Sequence, residues 1–276
     1  MTPLRSSVEL SSRTVRIRRW PAVGGPKSAQ DEIACEEPLE LRVDTRSVAV
    51  IMRTPGHDEE LAAGFLVSEG LIRQRDQIAD LRLNCRNRAG NVLDVFLRPD
   101  VTVDFGRLTR HVFAASSCGL CGKASIQAVR SQFPRIRQRF QVSASVLTAL
   151  PTKMSAAQAT FSRTGGLHAA AIFTGDGELL ALREDVGRHN AVDKLLGRAL
   201  LDGQLPLAGR LLLVSGRTSF EILQKALAGG LAVVAAVGAP SSLAVEFARA
   251  NGQTLVGFLR DGRFNVYAGV SRIATD

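Results

Sequence analysis

Residues 211–260, LLLVSGRTSFEILQKALAGGLAVVAAVGAPSSLAVEFARANGQTLVGFLR, alternate short apolar runs with segments of helical periodicity. We predict buried strands at Leu211–Ser215, Ala232–Val237 and Thr254–Arg260, with helices that begin near Thr218 and Ser242. Parallel strands need crossover helices of this kind, and those helices then cover the faces of the sheet. The stretch therefore predicts an α/β domain with a mostly parallel sheet.

The chain before this stretch predicts further strands that are joined by shorter connections. The runs His168–Phe173 and Leu179–Arg183 flank a Gly-Asp-Gly turn and predict a hairpin, so the sheet is expected to be mixed. Two more hairpins are predicted over 39–53 and 81–97, and a helix is predicted from Asp58 to about Gly70. The predicted fold class is therefore α/β, with an α+β N-terminal part followed by a three-layer C-terminal domain.

We predict four segments along the chain. Residues 1–35 are expected to form a basic mobile arm, 36–115 a smaller α+β domain, 116–140 a catalytic loop and helix, and 141–276 the α/β domain. The 45% hydrophobic content over 276 residues is sufficient for a core. The uncharged run 226–245 is interrupted by glycines and a proline, so no membrane span is predicted.

The net charge of +9 is concentrated near the middle of the chain, where residues 101–150 hold seven Lys or Arg and one acid. This pattern fits either a solvated basic surface or an anionic ligand such as a phosphate. Nucleic acid is not the expected partner, because one Trp and one Tyr offer little stacking surface. Four cysteines are too few for a disulfide scaffold and favour the reducing cytoplasm.

Residues 116–123, SSCGLCGK, place Cys118 and Cys121 in a C-x-x-C motif with small neighbours and a following lysine. The cation and a predicted helix start both favour the reactive thiolate. A zinc site would need a second ligand pair, and a zinc deaminase would need an H-x-E motif. A thioredoxin-like site would normally lie near the N-terminus of its domain. A persulfide carrier fits the motif, and we expect no permanently bound metal.

Three loops that precede predicted helices carry polar residues where the strands end, which is where open α/β sheets bind ligands. They contain Asp185, Gly187, Arg188 and His189, then Ser215, Gly216 and Arg217, and finally residues 238–242. Helix N-termini and arginines favour phosphate, so these loops predict a nucleotide-like pocket. Salt bridges and helix caps, including a capping box of Thr218 and Glu221, would explain the same residues. His168, after two glycines, fits either a structural or a functional role.

Eight stretches of the chain resemble the formate dehydrogenase accessory sulfurtransferases, the FdhD family. They are EEPL at 36–39, MRTPGHD at 52–58, GFLVSEG at 64–70, SCGLCG at 117–122, TGGLHAA at 164–170, EDVGRHNAVDK at 184–194, SGR at 215–217 and GFLR at 257–260. The stretches follow one another in the family's order over about residues 36–266.

The resemblance implies a sulfur carrier that is required for formate dehydrogenase activity. Cys118 would carry a persulfide, and Cys121 would assist it. The sulfur would pass from a cysteine desulfurase to the molybdenum bis(molybdopterin guanine dinucleotide) cofactor before that cofactor enters formate dehydrogenase. The resemblance further implies a cytidine-deaminase-like C-terminal domain and a homodimer.

The resemblance also suggests where this cofactor binds. The family's cofactor-binding stretch would correspond to Phe258, Leu259, Arg260, Asp261, Gly262 and Arg263. We hypothesise that the phosphates lie against the basic segment 101–150 and the loops at Gly187-Arg188 and Ser215-Gly216-Arg217, and that Asp185 or Glu184 binds guanine. His168 and His189 are candidate cofactor-binding residues in the same region. A cofactor-binding chaperone without obligate sulfur transfer and a C-x-x-C thiol oxidoreductase remain alternatives.

Overall fold

The structure is a computed structural model that describes residues 11–84, 90–105 and 133–275. The first described element is a hairpin of two antiparallel strands, β1 (Ser12–Arg19) and β2 (Lys27–Ala34). The predicted arm therefore has regular structure over these residues, because Val15 and Ile17 of β1 alternate with arginines on a strand that pairs along its whole length. Trp20, next to the tip, is 74% exposed.

The base of the hairpin is held against the rest of the molecule. The Cys35 backbone N–H donates to the Ser11 carbonyl at 2.9 Å, and the Ser11 hydroxyl lies 3.2 Å from the hydroxyl of Thr160. The Arg163 guanidinium pairs with the Glu32 carboxylate at 2.7 Å. These contacts correct the prediction of a mobile arm for the described part of residues 1–35.

The second unit is a four-stranded sheet with one helix. Its elements are β3 (Glu37–Val43), β4 (Arg46–Arg53), α1 (Asp58–Ser68), β5 (Ile78–Leu83) and β6 (Val92–Leu97). The strand order is β4-β3-β6-β5, and only the β3–β6 pair among these is parallel. Asp44 and Thr45 join β3 to β4 with φ values of 47° and 69°, as a two-residue hairpin turn requires. Both predicted hairpins and the helix at Asp58 are confirmed.

The third unit is built on a six-stranded sheet. Its elements in chain order are β7 (Val142–Ser143), α2 (Ala144–Ala157), α3 (Ala159–Thr164), β8 (His168–Thr174), β9 (Leu179–Asp185), α4 (Arg188–Leu201), β10 (Arg210–Val214), α5 (Phe220–Ala228), β11 (Val233–Ala236), α6 (Ser242–Asn251), β12 (Thr254–Arg260), β13 (Arg263–Ala268) and β14 (Ile273–Ala274). The strand order is β13-β12-β11-β10-β8-β9, while β7 and β14 form a separate short parallel pair.

Helices cover both faces of this sheet and give three layers. One core contains residues of α4, α5 and α6, and the other contains residues of α2. The predicted α/β class and mixed sheet are confirmed, but only the β10–β11 and β11–β12 pairs are parallel. Antiparallel pairs are more numerous than predicted, because β13 follows β12 through the tight turn Asp261-Gly262 and β8 runs antiparallel to β10. No helix of the described residues is long and apolar enough to cross a membrane.

Helices α1 and α4 join the four-stranded unit to the six-stranded one at very close range. A Cβ atom at Gly64 would overlap the Asp193 carbonyl oxygen, and one at Gly197 would overlap the Glu60 carbonyl oxygen. Only glycine, which has no Cβ, lets two helix backbones approach this closely. The two glycines therefore fix how the two units pack.

Ion pairs reinforce this junction. Arg183 on β9 donates to both carboxylate oxygens of Glu60 on α1, at 2.5 and 2.6 Å. Burial raises the pKa of Glu60, but the hydrogen bonds from Arg183 and His57 outweigh it and hold the pKa at about 2. Lys225 of α5 pairs with buried Asp193 of α4 at 2.7 Å and also donates to the Ser68 hydroxyl of α1.

Candidate functional site

The loops after β10 and β11 meet beside the end of β12, at the carboxyl ends of the three parallel strands. The Gly238 N–H donates to the Gly216 carbonyl at 3.3 Å, and the Thr218 N–H donates to the Ala239 carbonyl at 3.1 Å. The Phe258 N–H then donates to the Gly238 carbonyl at 3.0 Å. Because the hydrogen bonds continue from strand to loop, residues 215–218, 237–240 and 258 form one surface.

His168 and Arg188 lie against the first of these loops. A Cβ atom at Gly216 would be 3.4 Å from His168 Nδ1 and 3.8 Å from Arg188 Cδ. Ser215 is fixed in the same place, since its hydroxyl oxygen accepts a hydrogen bond from the Ala169 N–H at 2.9 Å. The structure therefore brings together four predicted site residues that lie up to 48 positions apart in the chain.

Arg188 supplies positive charge at this surface. It is the first residue of α4, where backbone N–H groups and the helix dipole favour an anion. Its Nε atom is buried and has no hydrogen-bond partner among the residues the structure describes. Arg217 is exposed on the adjacent loop. A buried, unpaired guanidinium nitrogen is costly, so an anionic ligand would lower the free energy of this arrangement.

Burial and the neighbouring charged side chains change the pKa of the half-buried His168 imidazole. Burial lowers its pKa below the ordinary value of 6.5, and the nearby Arg188 and His189 lower it further, whereas Asp185 raises it. The ring is therefore neutral at pH 7 and offers one donor and one acceptor. Because protonation is harder in the folded state, this histidine destabilises the fold as the pH falls below about 6.5.

Replacement of Arg188 by glutamine is expected to raise the pKa of His168, since one of the positive charges that oppose its protonation is removed. The measurement is an NMR titration of the imidazole resonances in wild type and R188Q. Arg198→Gln changes a partly exposed arginine later in α4; it is the matched control and should leave the pKa of His168 unchanged. An identical titration of His168 in R188Q and wild type would contradict the proximity of the two side chains.

The His189 side chain pairs with residues at the start of α5. Its Nε2 lies 2.9 Å from the Glu221 carboxylate and 3.2 Å from the Ser219 hydroxyl. Burial raises the pKa of Glu221, but the hydrogen bond with His189 lowers it, and the net effect is a lowered pKa. The predicted capping box of Thr218 and Glu221 is wrong, because α5 begins two residues after Thr218 and Glu221 pairs with His189 instead.

Asp185 does not have the free carboxylate that guanine binding requires. It is fully buried, and one oxygen accepts from the Gly187 N–H and from the Asn190 amide, each at 2.8 Å. The other oxygen accepts from the Thr54 N–H at 3.1 Å and pairs with Lys194 Nζ at 2.7 Å. Both oxygens are occupied, so we correct the hypothesis of a guanine contact by Asp185 and assign this residue a structural role.

The carboxylate of Glu184 also accepts hydrogen bonds within the protein. Its two carboxylate oxygens accept the backbone N–H groups of Thr160 and Phe161 at 2.9 and 2.7 Å, at the start of α3. These are N–H groups that a short helix leaves unpaired, so Glu184 acts as a cap supplied from a neighbouring strand. A guanine contact by Glu184 remains a prediction.

The predicted cofactor stretch Phe258–Arg263 surrounds the turn between β12 and β13. Phe258 and Asp261 have φ values of 53° and 55°, so the chain turns sharply on both sides of Leu259. Leu259 is fully buried in the core, which excludes its side chain from ligand contact. Arg260 and Arg263 are exposed, and the Arg260 guanidinium lies 5.7 Å from the centre of the Phe258 ring. The arginines, rather than Leu259, are therefore available to an anion.

A cavity of about 520 Å³ opens beside His168 and Ser215, and the sequence did not predict it. Its other walls come from α2, α3, the segment between α3 and β8, and Val237 after β11. Their apolar and small residues look like core or turn residues in the sequence, so only the folded chain shows that they enclose a space.

Cys118 and Cys121 lie outside the described residues, so their predicted role remains a prediction. Within 11–84, 90–105 and 133–275, no three His, Cys, Asp or Glu side chains are grouped as a metal ion would require. Cys35 is half-buried, and burial raises the pKa of its thiol. Among the described residues it is therefore a poor nucleophile.

Comparison with known proteins places the chain in a family. The model of the FdhD/NarQ family matches residues 34–274. A Streptomyces avermitilis relative named sulfur carrier protein FdhD is 50% identical over 275 residues, which cover 95% of this chain and 94% of the relative. A relative of the same name from Mycobacterium tuberculosis is 50% identical over 253 residues, covering 88% and 92%.

A solved structure shares the fold. The crystal structure of a candidate formate dehydrogenase accessory protein from Desulfotalea psychrophila superposes with a TM-score of 0.78. It covers 96% of this chain and 100% of that one, at 22% sequence identity. The extent of the family match and the identity to these relatives lead to one conclusion: the chain belongs to the FdhD/NarQ family.

Proposed function

We propose that this protein is a sulfur carrier that acts in the maturation of formate dehydrogenase. The observation that carries the proposal is the 50% identity, over 95% of the chain, to a protein named sulfur carrier protein FdhD. The C-x-x-C motif of Cys118 and Cys121 supplies the thiol chemistry that such a role needs. We further propose a cytoplasmic homodimer that meets a cysteine desulfurase and formate dehydrogenase as its partners.

The proposed loading step moves one sulfane sulfur between two thiols. The Cys118 thiolate attacks the terminal sulfur of the desulfurase persulfide, and the bond between that sulfur and the desulfurase cysteine breaks. The desulfurase thiolate leaves, and Cys118 becomes the persulfide. Electrons balance without an outside oxidant or reductant, because the transferred sulfur keeps its oxidation state.

The proposed delivery step uses Cys121. Its thiolate attacks the inner sulfur of the Cys118 persulfide, forms a Cys118–Cys121 disulfide and releases the outer sulfur as sulfide. The two thiols supply the two electrons that reduce the sulfur, and the molybdenum cofactor accepts the sulfide as its ligand. A cellular dithiol reductant then restores both cysteines for the next cycle.

The described surface supports binding of the cofactor as a phosphate-bearing substrate. Arg188 with its unpaired Nε, Arg217, Arg260 and Arg263 supply positive charge around the loops at the ends of the parallel strands. The side chains of His168 and Arg188 lie next to the Gly216 backbone at this surface. We propose that this surface binds the diphosphate groups of the guanine dinucleotide cofactor.

The test is mass spectrometry after incubation with cysteine, the desulfurase and pyridoxal phosphate. Wild type should gain the mass of one sulfur atom at Cys118, removable by a thiol reductant. Cys118→Ala should gain none, and Cys121→Ala should load sulfur but release sulfide more slowly. Cys35→Ala is the matched control and should load like wild type, because burial raises the pKa of that thiol.

Two results would contradict the proposal. If wild type retains no sulfur but still binds cofactor, the protein escorts the cofactor and does not carry sulfur. If the Cys118–Cys121 pair instead turns over dithiol substrates without a desulfurase, the thiol oxidoreductase alternative is correct.

A further inference from the structure

A segment without helix or strand, residues 133–141, crosses the six-stranded sheet at the edge opposite the candidate site. The Ile136 N–H donates to the last carbonyl of α6 at 2.9 Å. The Gln138 side chain accepts from the Gly209 N–H at 3.3 Å and donates to the Gly230 carbonyl at 3.2 Å. These contacts all lie just before β10, β11 or β12 begins. We call this segment the basic strap.

Side chains of the basic strap alternate between the protein and the solvent. Ile136 packs against the core that contains α4, α5 and α6, Gln138 makes the contacts above, and Phe140 packs against the core of α2. The three exposed side chains between and beside them are those of Arg135, Arg137 and Arg139. Such alternation is that of an extended chain, in which every second residue points the same way at intervals of roughly 7 Å. The strap therefore presents three guanidinium groups in one row.

The row of arginines has no carboxylate partner in the described ranges. None of the three forms an ion pair with an Asp or Glu of the residues that the structure describes. The sequence offers few candidates nearby, because no Asp or Glu occurs between Asp104 and Asp176, whereas nine Lys or Arg do. Like charges side by side repel each other, so an anionic partner would lower the free energy of this surface.

The basic strap is too far from the candidate site to share its ligand. The strap is anchored where β10, β11 and β12 begin, whereas the candidate site lies where these strands end. The five residues of β10 alone separate the two edges by roughly 15 Å. We therefore assign the three strap arginines to a different anion from the one beside Arg188.

An acidic protein segment fits this row better than a nucleic acid does. Arginine binds a carboxylate through two parallel N–H groups, and carboxylates at alternate positions of an extended chain have the same spacing as the strap arginines. A single-stranded nucleic acid would stack its bases on exposed aromatic rings. Both aromatic residues of the strap, Phe133 and Phe140, are instead half-buried.

We propose that the basic strap docks an acidic segment of the protein that donates sulfur to Cys118. Only thirteen residues separate Cys121 from Arg135 in the chain, so a donor held on the strap stays within the reach of this connection. Docking at this edge also leaves the candidate site open. The identity of the partner rests on the proposed function, whereas its acidic character rests on the strap alone.

The first test is fluorescence anisotropy with a labelled peptide of alternating Glu and Ser. The strap variant combines Arg135→Gln, Arg137→Gln and Arg139→Gln. It should bind the peptide about tenfold more weakly than wild type at low salt, at about twofold to threefold for each exposed ion pair. The control variant removes the same charge at exposed positions outside the strap, with Arg16→Gln, Arg18→Gln and Arg73→Gln. It should bind like wild type, and equal weakening in both variants would overturn the proposal.

Two further probes test the chemistry of the partner. A variant with Arg135→Glu, Arg137→Glu and Arg139→Glu should bind a peptide of alternating Lys and Ser, which wild type should not bind. Failure to gain this peptide in a folded variant would count against the row of charges as the binding surface. An oligothymidylate of the same charge as the Glu peptide should bind wild type more weakly, and tighter binding would favour a nucleic acid instead. Circular dichroism melting curves check that every variant is folded.

The second test measures how fast Cys118 gains sulfur. With the desulfurase as donor, the strap variant should load about tenfold more slowly than wild type at low salt, and the difference should shrink as salt screens the charges. With glutathione persulfide as donor, both proteins should load at the same rate. Glutathione thiolate leaves in the same exchange, and a small donor needs no docking surface.

The outcomes separate this inference from the proposed function. If the strap variant loads from the desulfurase as fast as wild type, the strap does not dock the donor and the inference is overturned. If wild type gains no sulfur from either donor, the proposed function is overturned. Direct binding of the desulfurase, lost in the strap variant and kept in the control variant, would then still uphold the docking surface, and its absence would overturn both.

Discussion

Gly197→Ala is expected to lower the free energy of unfolding by about 3 kcal/mol or more. The new Cβ would overlap the Glu60 carbonyl oxygen and lie 2.7 Å from the Gly64 backbone nitrogen. Both neighbours are backbone atoms of α1, which cannot turn away as a side chain would. Helix propensity alone predicts that the substitution raises the free energy of unfolding by about 1 kcal/mol. The sign of the measured change therefore distinguishes steric overlap from helix propensity.

Urea unfolding followed by far-ultraviolet circular dichroism measures this effect. Gly64→Ala should behave like Gly197→Ala, because its Cβ would overlap the Asp193 carbonyl oxygen on the facing helix. Gly25→Ala is the matched control, since a Cβ there meets nothing within 4 Å. A Gly197→Ala variant as stable as wild type would show that α1 and α4 pack less closely than described.

Asp185→Ala is expected to cost about 3–5 kcal/mol of stability, as removal of one partner of a buried ion pair does. The substitution leaves Lys194, which is 1% exposed, as a buried charge whose remaining acceptor among the described residues is the Thr54 carbonyl. It also removes the acceptor for the Thr54 N–H and the Asn190 amide. Any loss of nucleotide binding should follow the loss of folded protein.

A double-mutant cycle tests the pair directly. Asp185→Ala combined with Lys194→Met should be more stable than Asp185→Ala alone, because the uncompensated charge is gone. Asp202→Ala, which breaks the exposed pair with Arg198, is the control and should change stability by less than about 1 kcal/mol. Additive losses in the cycle would mean that Asp185 and Lys194 do not interact.

Local patterns in the sequence were sufficient to predict much of the fold. Apolar runs, a Gly-Asp-Gly turn and acids at a helix start predict β8 to β12, the hairpins of the first sheet and α1, because these elements depend on neighbours in the chain. Proximity of residues 188 and 215–217 also follows, since they follow strands whose carboxyl ends lie at the same edge of the sheet. His168 opens β8 and reaches that edge because β8 runs antiparallel to β10. The β1–β2 hairpin was missed because its arginines mask the alternation of Val15 and Ile17.

The roles of individual polar side chains were harder to predict. Asp185 bonds to Thr54, 131 positions away, and Glu184 caps a helix that begins 25 positions before it. The tertiary fold determines such partners, and no local sequence pattern indicates them. The cavity is a similar case, because its walls combine residues that each resemble ordinary core or turn residues. Sequence motifs therefore indicated a candidate site, and the structure showed which of its polar side chains have partners within the protein.

The position of Trp20 has a practical consequence for spectroscopy. It is the sole tryptophan of the chain, and its indole is mostly in water beside the hairpin tip. Its emission should already be red-shifted in the native protein and should change little when the two sheet cores melt. Intrinsic fluorescence would thus report on the hairpin alone, which makes Trp20 a selective optical probe for anything that docks there.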